Sequence, residues 1–309
     1  MSQVPISLII DDGSPVNTFY FHRLYEKHEL LVPTSFTREF AQTCRRHGLK
    51  GKFSVVPMPG CLGRLDQGLN RVPQQNIDEF LQVCRQEIMP AFSITPEILT
   101  HFLAYNLQSG GFMNLCEDRY IAGLNAEEIA AYVGLALQIL DNLGLDPSGV
   151  TSPWHTGKNN EGYYAAGIGM AFKQTLNKNQ CFYFLHGADG PIKKPTVVCD
   201  SERTGTVVSI PYNTGSDPFW ELQYCSSAAK AKDYMLTKID ELLSDDGRSG
   251  IIRRIFETGL PIVLITHWQT LFCDGKKFGL RALDCLAERI NRVFGNQVQW
   301  QSFCQLAGF

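Results

Sequence analysis

Short apolar runs recur along this chain, and each stops abruptly at polar or chemically reactive side chains. Ile6-Ser7-Leu8-Ile9-Ile10 runs into Asp11-Asp12-Gly13, Cys181-Phe182-Tyr183-Phe184-Leu185 into His186, and Pro261-Ile262-Val263-Leu264-Ile265 into Thr266-His267. Runs this short and this apolar read as strands buried on both faces. Further strands are expected at Lys52 to Val56, within Ser93 to Leu99, at Val150 to Ser152 and at Gln297 to Trp300. Between them, apolar residues at helical spacing predict helices over 37–47, 76–89, 124–143, 161–176, 227–243, 251–257 and 277–294. The best-marked helix start is Asn125 with Glu128 three residues on, a capping box. Strands alternating with helices indicate parallel βαβ units. The expected architecture is therefore α/β, a single irregular (β/α) barrel with about seven parallel strands. The 309 residues would form one domain, with a β-hairpin inserted near 196–211 around a Thr204-Gly205 turn.

Composition narrows the partners. Lys plus Arg number 28 and Asp plus Glu 31, a net charge of -3, which argues against nucleic acid. With 44% hydrophobic and 19% charged residues the chain is globular and not disordered. No apolar run is long enough for a membrane span, and no basic segment followed by an apolar stretch opens the sequence, so a cytoplasmic location is expected. The 10 cysteines include no Cys-x-x-Cys pair and read as reduced thiols. No nucleotide-binding glycine loop follows a strand, and Gly-x-Ser-x-Gly is absent. Nothing in the sequence indicates an oligomeric state.

The chemistry lies at the strand ends. Asp11 and Asp12, His101, His155, His186 and His267 each follow an expected strand, and in a β/α barrel those ends converge on one face. His47, at a helix end, and His28, in a polar loop, fall outside this pattern, and His22 is left open. Two adjacent carboxylates repel, so a site using both needs a cation or two unlike roles. One would hold a metal ion and the other take a proton from water. A catalytic zinc wants three protein ligands and an open position, and Asp12 and His101, with His155 as third donor and His186 as runner-up, could supply them. His267, emerging from a buried strand, suits a general acid. Trp154 and Trp268 flank candidate histidines, and tryptophan faces either stack on sugars or fill a core.

Ile9-Ile10-Asp11-Asp12-Gly13 resembles the first motif of the polysaccharide deacetylase (NodB-homology) family, within the glycoside hydrolase/deacetylase β/α-barrel superfamily. Gly48 to Val56 resembles that family's second strand, Thr151-Ser152-Pro153-Trp154 its Arg-Pro-Pro-Tyr loop, and Leu264-Ile265-Thr266-His267-Trp268 its late histidine-bearing strand end. Val298 to Phe303 is similar to its closing strand and helix start. The match runs in order along most of the chain, although each motif is short. The resemblance implies a metal-dependent hydrolase that removes an acyl group from a carbohydrate or related amide or ester through activated water. Asp11 would be the base, His267 the acid, and Asp12, His101 and His155 the ligands of zinc or a similar divalent ion. Trp154, Trp268, His186 and Asn106 would face the substrate. The sequence departs from the family at two motif positions and in its long loops at 13–35 and 58–75. The family has two metal histidines four residues apart, whereas Tyr105 stands four residues after His101. Ser152 or Thr151 stands where the family has arginine.

Two other readings remain. A glycoside hydrolase on a related barrel would pair Asp11 or Asp12 with Asp189, Asp217 or Glu221 across a cleft. A carbohydrate-binding barrel with a decayed site would bind glycan without turnover.

Overall fold

The first strand, β1 (Val4–Asp11), is central, and three others pair with it in parallel. They are β2 (Gly51–Val55), β10 (Ile262–His267) and, at its start, β11 (Val298–Trp300). β3 (Phe92–Pro96) extends the sheet beyond β2. A second sheet has the order β6 (Gly149–Ser152), β7 (Gln180–Leu185), β9 (Gly205–Ser209), β8 (Thr196–Ser201), parallel except for the β8–β9 pair. The computed structural model describes residues 3–17, 29–154, 156–185 and 193–309. His22, His28, His155, His186 and Asp189 lie outside them.

The sheets touch at both edges. On one side Glu97 bridges in parallel to Thr151, and the Ile98 N–H donates to the Thr151 carbonyl at 3.3 Å. On the other side no ladder joins β9 to β10 among the described residues. There the Asn213 side chain accepts from the Val263 N–H at 2.9 Å and donates to the Pro261 carbonyl at 2.7 Å.

Strand side chains alternate between two faces, and two apolar cores follow from that alternation. Ile6, Leu8, Ile10, Phe53, Val55 and Ile94 point outward into the large core beneath the helices. That layer includes α1 (Thr34–His47), α2 (Gln74–Val83), α4 (Ala126–Asn142), α5 (Glu161–Leu176) and α9 (Phe278–Phe294). Ile9, Phe182, Phe184, Val208, Ile210, Val263 and Ile265 form a smaller core between the sheets. Phe303, on α10 (Phe303–Ala307), packs into it at 5.3 Å from Phe182. The same alternation sends polar residues of β1, β2, β3 and β6 inward. Lys52, Ser54, Thr95 and Thr151 are each fully buried and hydrogen-bonded across the interior.

The Asn125–Glu128 capping box forms as expected at the start of α4, with both of its bonds present. Two expectations need correction. The hairpin at β8–β9 is not an insertion, because β9 also pairs in parallel with β7 and so belongs to the sheet. The hairpin that stands apart from both sheets is β4 (Leu103–Asn106) with β5 (Gly111–Cys116), followed by α3 (Glu117–Ala122). Helix α2 also ends earlier than the pattern to residue 89 predicted, relaxing into a π-turn over Cys84–Ile88. All ten cysteines are free thiols, and among the described residues no helix is long and apolar enough to cross a membrane.

Candidate functional site

The ends of β1, β2, β3 and β10 bring a polar cluster together. Asp11 is paired in register with His267, the last residue of β10. The chain then reverses at Asp12, which has a left-handed backbone (φ 65°). Its N–H donates to Glu97 Oε2 at 2.5 Å. Gly13 is required next, since a Cβ there would meet the Ser54 carbonyl oxygen at 2.1 Å. The Asp-Asp-Gly triplet thus fits one tight turn that aims two carboxylates into the interior.

The two carboxylates have different partners. Asp11 Oδ1 accepts from the Lys52 ammonium, which also donates to Thr151 Oγ1 at 2.5 Å and lies 4.4 Å from the Phe184 ring centroid. Both Lys52 and Asp11 are wholly buried. Asp12 Oδ1 lies 2.7 Å from His101 Nε2, and Glu97 Oε1 lies 3.5 Å from the same nitrogen. Ser54 Oγ donates to Glu97 Oε2 at 2.6 Å. Burial, then the charges of Asp12 and Asp11, push the Glu97 carboxyl up to about 8. Burial alone would lower the His101 imidazole, but Asp12 and Glu97 outweigh it and hold it up at about 9.

Asp12, Glu97 and His101 offer three donor atoms within 4.8 Å of one another, all buried, and could hold a metal ion. Donors around one zinc-sized ion at 2.0–2.2 Å stand roughly 3–4 Å apart, so the span is right. Glu97 Oε1 accepts no hydrogen bond among the described residues, the condition of a carboxylate oxygen open to a cation. Two carboxylates and one imidazole also balance a dication's charge. The donor set therefore fits, and it is richer in oxygen than a two-histidine site.

Glu97 was not anticipated. Tyr105 is not the counterpart of a second metal histidine: it lies on β4, its ring 5.3 Å from Phe112. The side chain that joins Asp12 and His101 is instead Glu97, four residues before His101. Lys52 was also missed, and it supplies a buried cation beside Asp11 where the Thr151–Ser152 segment has no arginine. The one signal that could have pointed to them is polar residues recurring at alternate positions, Lys52-x-Ser54 and Ser93-x-Thr95-x-Glu97, the last just past the end of β3.

His267 makes a second, separate arrangement. Its Nδ1 is 3.0 Å from Asp217 Oδ2, which also accepts from the His267 N–H at 3.1 Å and Thr266 Oγ1 at 3.2 Å. Burial pulls the imidazole down, but the Asp217 hydrogen bond and charge, with Asp12 and Asp11 beyond, raise it to about 9. The Trp220 ring stands edge-on at 5.0 Å. His267 opens onto a cavity of about 490 Å³ lined also by Asp217, Trp220, Glu221, Tyr234 and Lys238. Asp217, considered above as a glycosidase carboxylate, is committed instead to His267 and to the Phe219 N–H at 2.9 Å.

The remaining expected residues are scattered. Trp154 joins the cluster, its ring edge-on to His101 at 4.7 Å. Trp268 does not face a substrate: it is fully buried, packed on Phe36, Phe40 and Phe53, with its indole N–H on the Ser14 carbonyl at 3.0 Å. The reason is local. His267 ends the strand and Trp268 starts helix α8 (Trp268–Phe272), which turns its side chain into the helix layer. Asn106 serves its own hairpin turn, its Oδ1 accepting from the Gln108 and Ser109 N–H groups at 2.9 and 3.0 Å.

The fold has a solved counterpart. A candidate polysaccharide deacetylase from Mycobacterium smegmatis aligns with a TM-score of 0.54 at 12% identity, over 100% of this chain and 90% of its own. At that identity the likeness is one of fold. No family model and no curated protein sequence matches the chain.

Proposed function

We propose that this chain is a metal-dependent hydrolase of the polysaccharide deacetylase type, a single distorted barrel that removes an acyl group from a carbohydrate or related amide or ester. The carrying observation is the convergence of Asp12, Glu97 and His101 within 4.8 Å, with Asp11 and His267 in register beside them. Asp12, Glu97 and His101 would hold the divalent ion, with His155, outside the described residues, as a further donor. The oxygen-rich set widens the choice from zinc towards harder ions such as Mn²⁺. When bound, the ion supplies Lewis acidity towards an acyl oxygen and towards water.

The rest falls to the chain's own side chains. Asp11, ion-paired with Lys52, accepts the proton of the attacking water. Lys52, itself held by Thr151, fixes the direction of the Asp11 carboxylate. His267, cationic at neutral pH and steadied by Asp217, donates a proton to the leaving group. Trp154 walls the cluster, and the cavity beside His267 receives the leaving group.

Acetate release from acetylated amino-sugar oligomers tests this reading. Ion-loaded wild type should release acetate, and chelated protein and Asp12→Asn should not. New reducing ends without acetate would replace the reading with a glycosidase.

A further inference from the structure

The link from Glu97 to His101 passes twice through left-handed backbone at non-glycine residues, Ile98 (φ 41°) and His101 (φ 52°). Side-chain-bearing residues adopt that conformation reluctantly, and it persists where the surroundings over-determine it. At Ile98 the N–H is held by the Thr151 carbonyl, and at the His101 end one carboxylate holds the backbone. Glu117, at the start of α3, is fully buried. Its Oε2 accepts from the His101 N–H at 2.8 Å. Its Oε1 accepts from the Thr100 N–H at 2.9 Å, the Leu99 N–H at 3.2 Å and the Tyr132 hydroxyl at 2.8 Å. The Tyr132 oxygen in turn accepts from the Tyr105 N–H at 3.1 Å. Three consecutive backbone donors, ending at the histidine itself, therefore converge on a residue that lies outside the donor cluster and takes no part in the chemistry above.

We propose that Glu117, with Tyr132 behind it, is a positioning residue that fixes the His101 imidazole for metal binding. The β4–β5 hairpin and α4 are on this account the support of the metal centre. The inference rests on reading Asp12, Glu97 and His101 as that centre. It explains why a carboxylate is buried with neutral donors alone as its hydrogen-bond partners, and why the hairpin that belongs to neither sheet carries that carboxylate at its exit. Outer partners of metal ligands typically matter about 10–100-fold in affinity.

Glu117→Gln keeps the side chain's shape but replaces one acceptor oxygen with an NH₂ group that must face a backbone N–H. Tyr132→Phe removes only the hydroxyl behind it. The test is Zn²⁺ affinity by competition with a chromophoric chelator, alongside hydrogen exchange of the segment 98–102 and the thermal midpoint of the metal-free proteins. Glu117→Gln should weaken Zn²⁺ binding about tenfold or more and speed exchange in that segment, and Tyr132→Phe should do both to a smaller degree. Wild-type affinity in Glu117→Gln overturns the proposal, whatever its thermal midpoint. If Glu117→Gln fails to fold, wild-type affinity in Tyr132→Phe overturns it instead. Asp12→Asn separates the two claims. If wild type itself binds no stoichiometric Zn²⁺, the metal-centre reading fails and this inference falls with it. If wild type binds, Asp12→Asn does not, and Glu117→Gln binds normally, only the inference fails.

Discussion

His101, in the loop after β3, and His267, at the end of β10, border the same interior, and both imidazoles are raised to about 9. Their surroundings differ in kind. His101 faces two carboxylates, Asp12 and Glu97, with Glu97 itself pushed up to about 8 by burial and then by the Asp12 and Asp11 charges. His267 faces one carboxylate, Asp217, already satisfied by two further N–H groups and a hydroxyl. Two acids converging on one imidazole make a donor set that could hold a cation. A one-to-one pair whose acid is already hydrogen-bonded elsewhere suits a positioned proton donor. On the proposed function, the same shift at two histidines would correspond to two roles, distinguished by the number of neighbouring acids.

The comparison can be broken at several points. Asp12→Asn should abolish ion binding and lower turnover on the order of 10³-fold, because several kcal/mol of transition-state stabilisation depend on the ion. Elemental analysis and acetate release measure the two effects.

His267→Asn should lower turnover by about 10²–10⁴-fold while leaving ion affinity unchanged, and losing both together would merge the two regions. The pH dependence follows from its raised value. Because the folded imidazole titrates near 9 and the unfolded one near 6.5, its contribution to stability is whole below 6.5 and fades as pH rises through 9. Wild-type turnover should fall over the same alkaline limb, and Asp217→Asn should move that limb to lower pH.

Lys52→Met tests the cluster's foundation. It leaves Asp11 buried without its cation, which costs about 3–5 kcal/mol, readable by chemical denaturation. Arg203→Ala, at an exposed pair with Glu127 whose side chains are 64% and 58% accessible, should change stability by less than about 1 kcal/mol.

The smallest effect is a proton count. Metal ligands must shed their protons on binding, so Zn²⁺ binding at pH 7 should release at least one proton from the His101–Glu97 pair. Calorimetry in buffers of different ionisation enthalpy reads that number, and a value of zero would contradict the raised imidazole.

How much of this was written in the sequence depends on periodicity. The apolar strands before Asp11 and His267 were legible because burial on both faces leaves nothing polar to confuse the pattern. The α4 start was legible because a capping box is local. The β4–β5 hairpin was not, since its short strands join neither sheet and lie only partly buried. Glu97 and Lys52 were hidden by the reverse problem. Lys52 is a charged residue inside a core strand and Glu97 one just past the end of another, where charge normally signals an edge, and only partners across the interior make it tolerable. Trp268 misled because adjacency to His267 says nothing about direction once a strand becomes a helix. Trp154, next to another candidate histidine, stays in the loop and reaches His101. For the site, two of the three clustered donors, Asp12 and His101, were among the expected ligands, and the third needed the fold.

The most direct test is an anomalous-scattering map from crystals grown with Zn²⁺ or Mn²⁺. The account predicts one peak about 2.0–2.2 Å from donor atoms of Asp12, Glu97 and His101, with Lys52 still on Asp11 and Asp217 still on His267. A peak elsewhere, or none at that cluster in ion-saturated crystals, would contradict it.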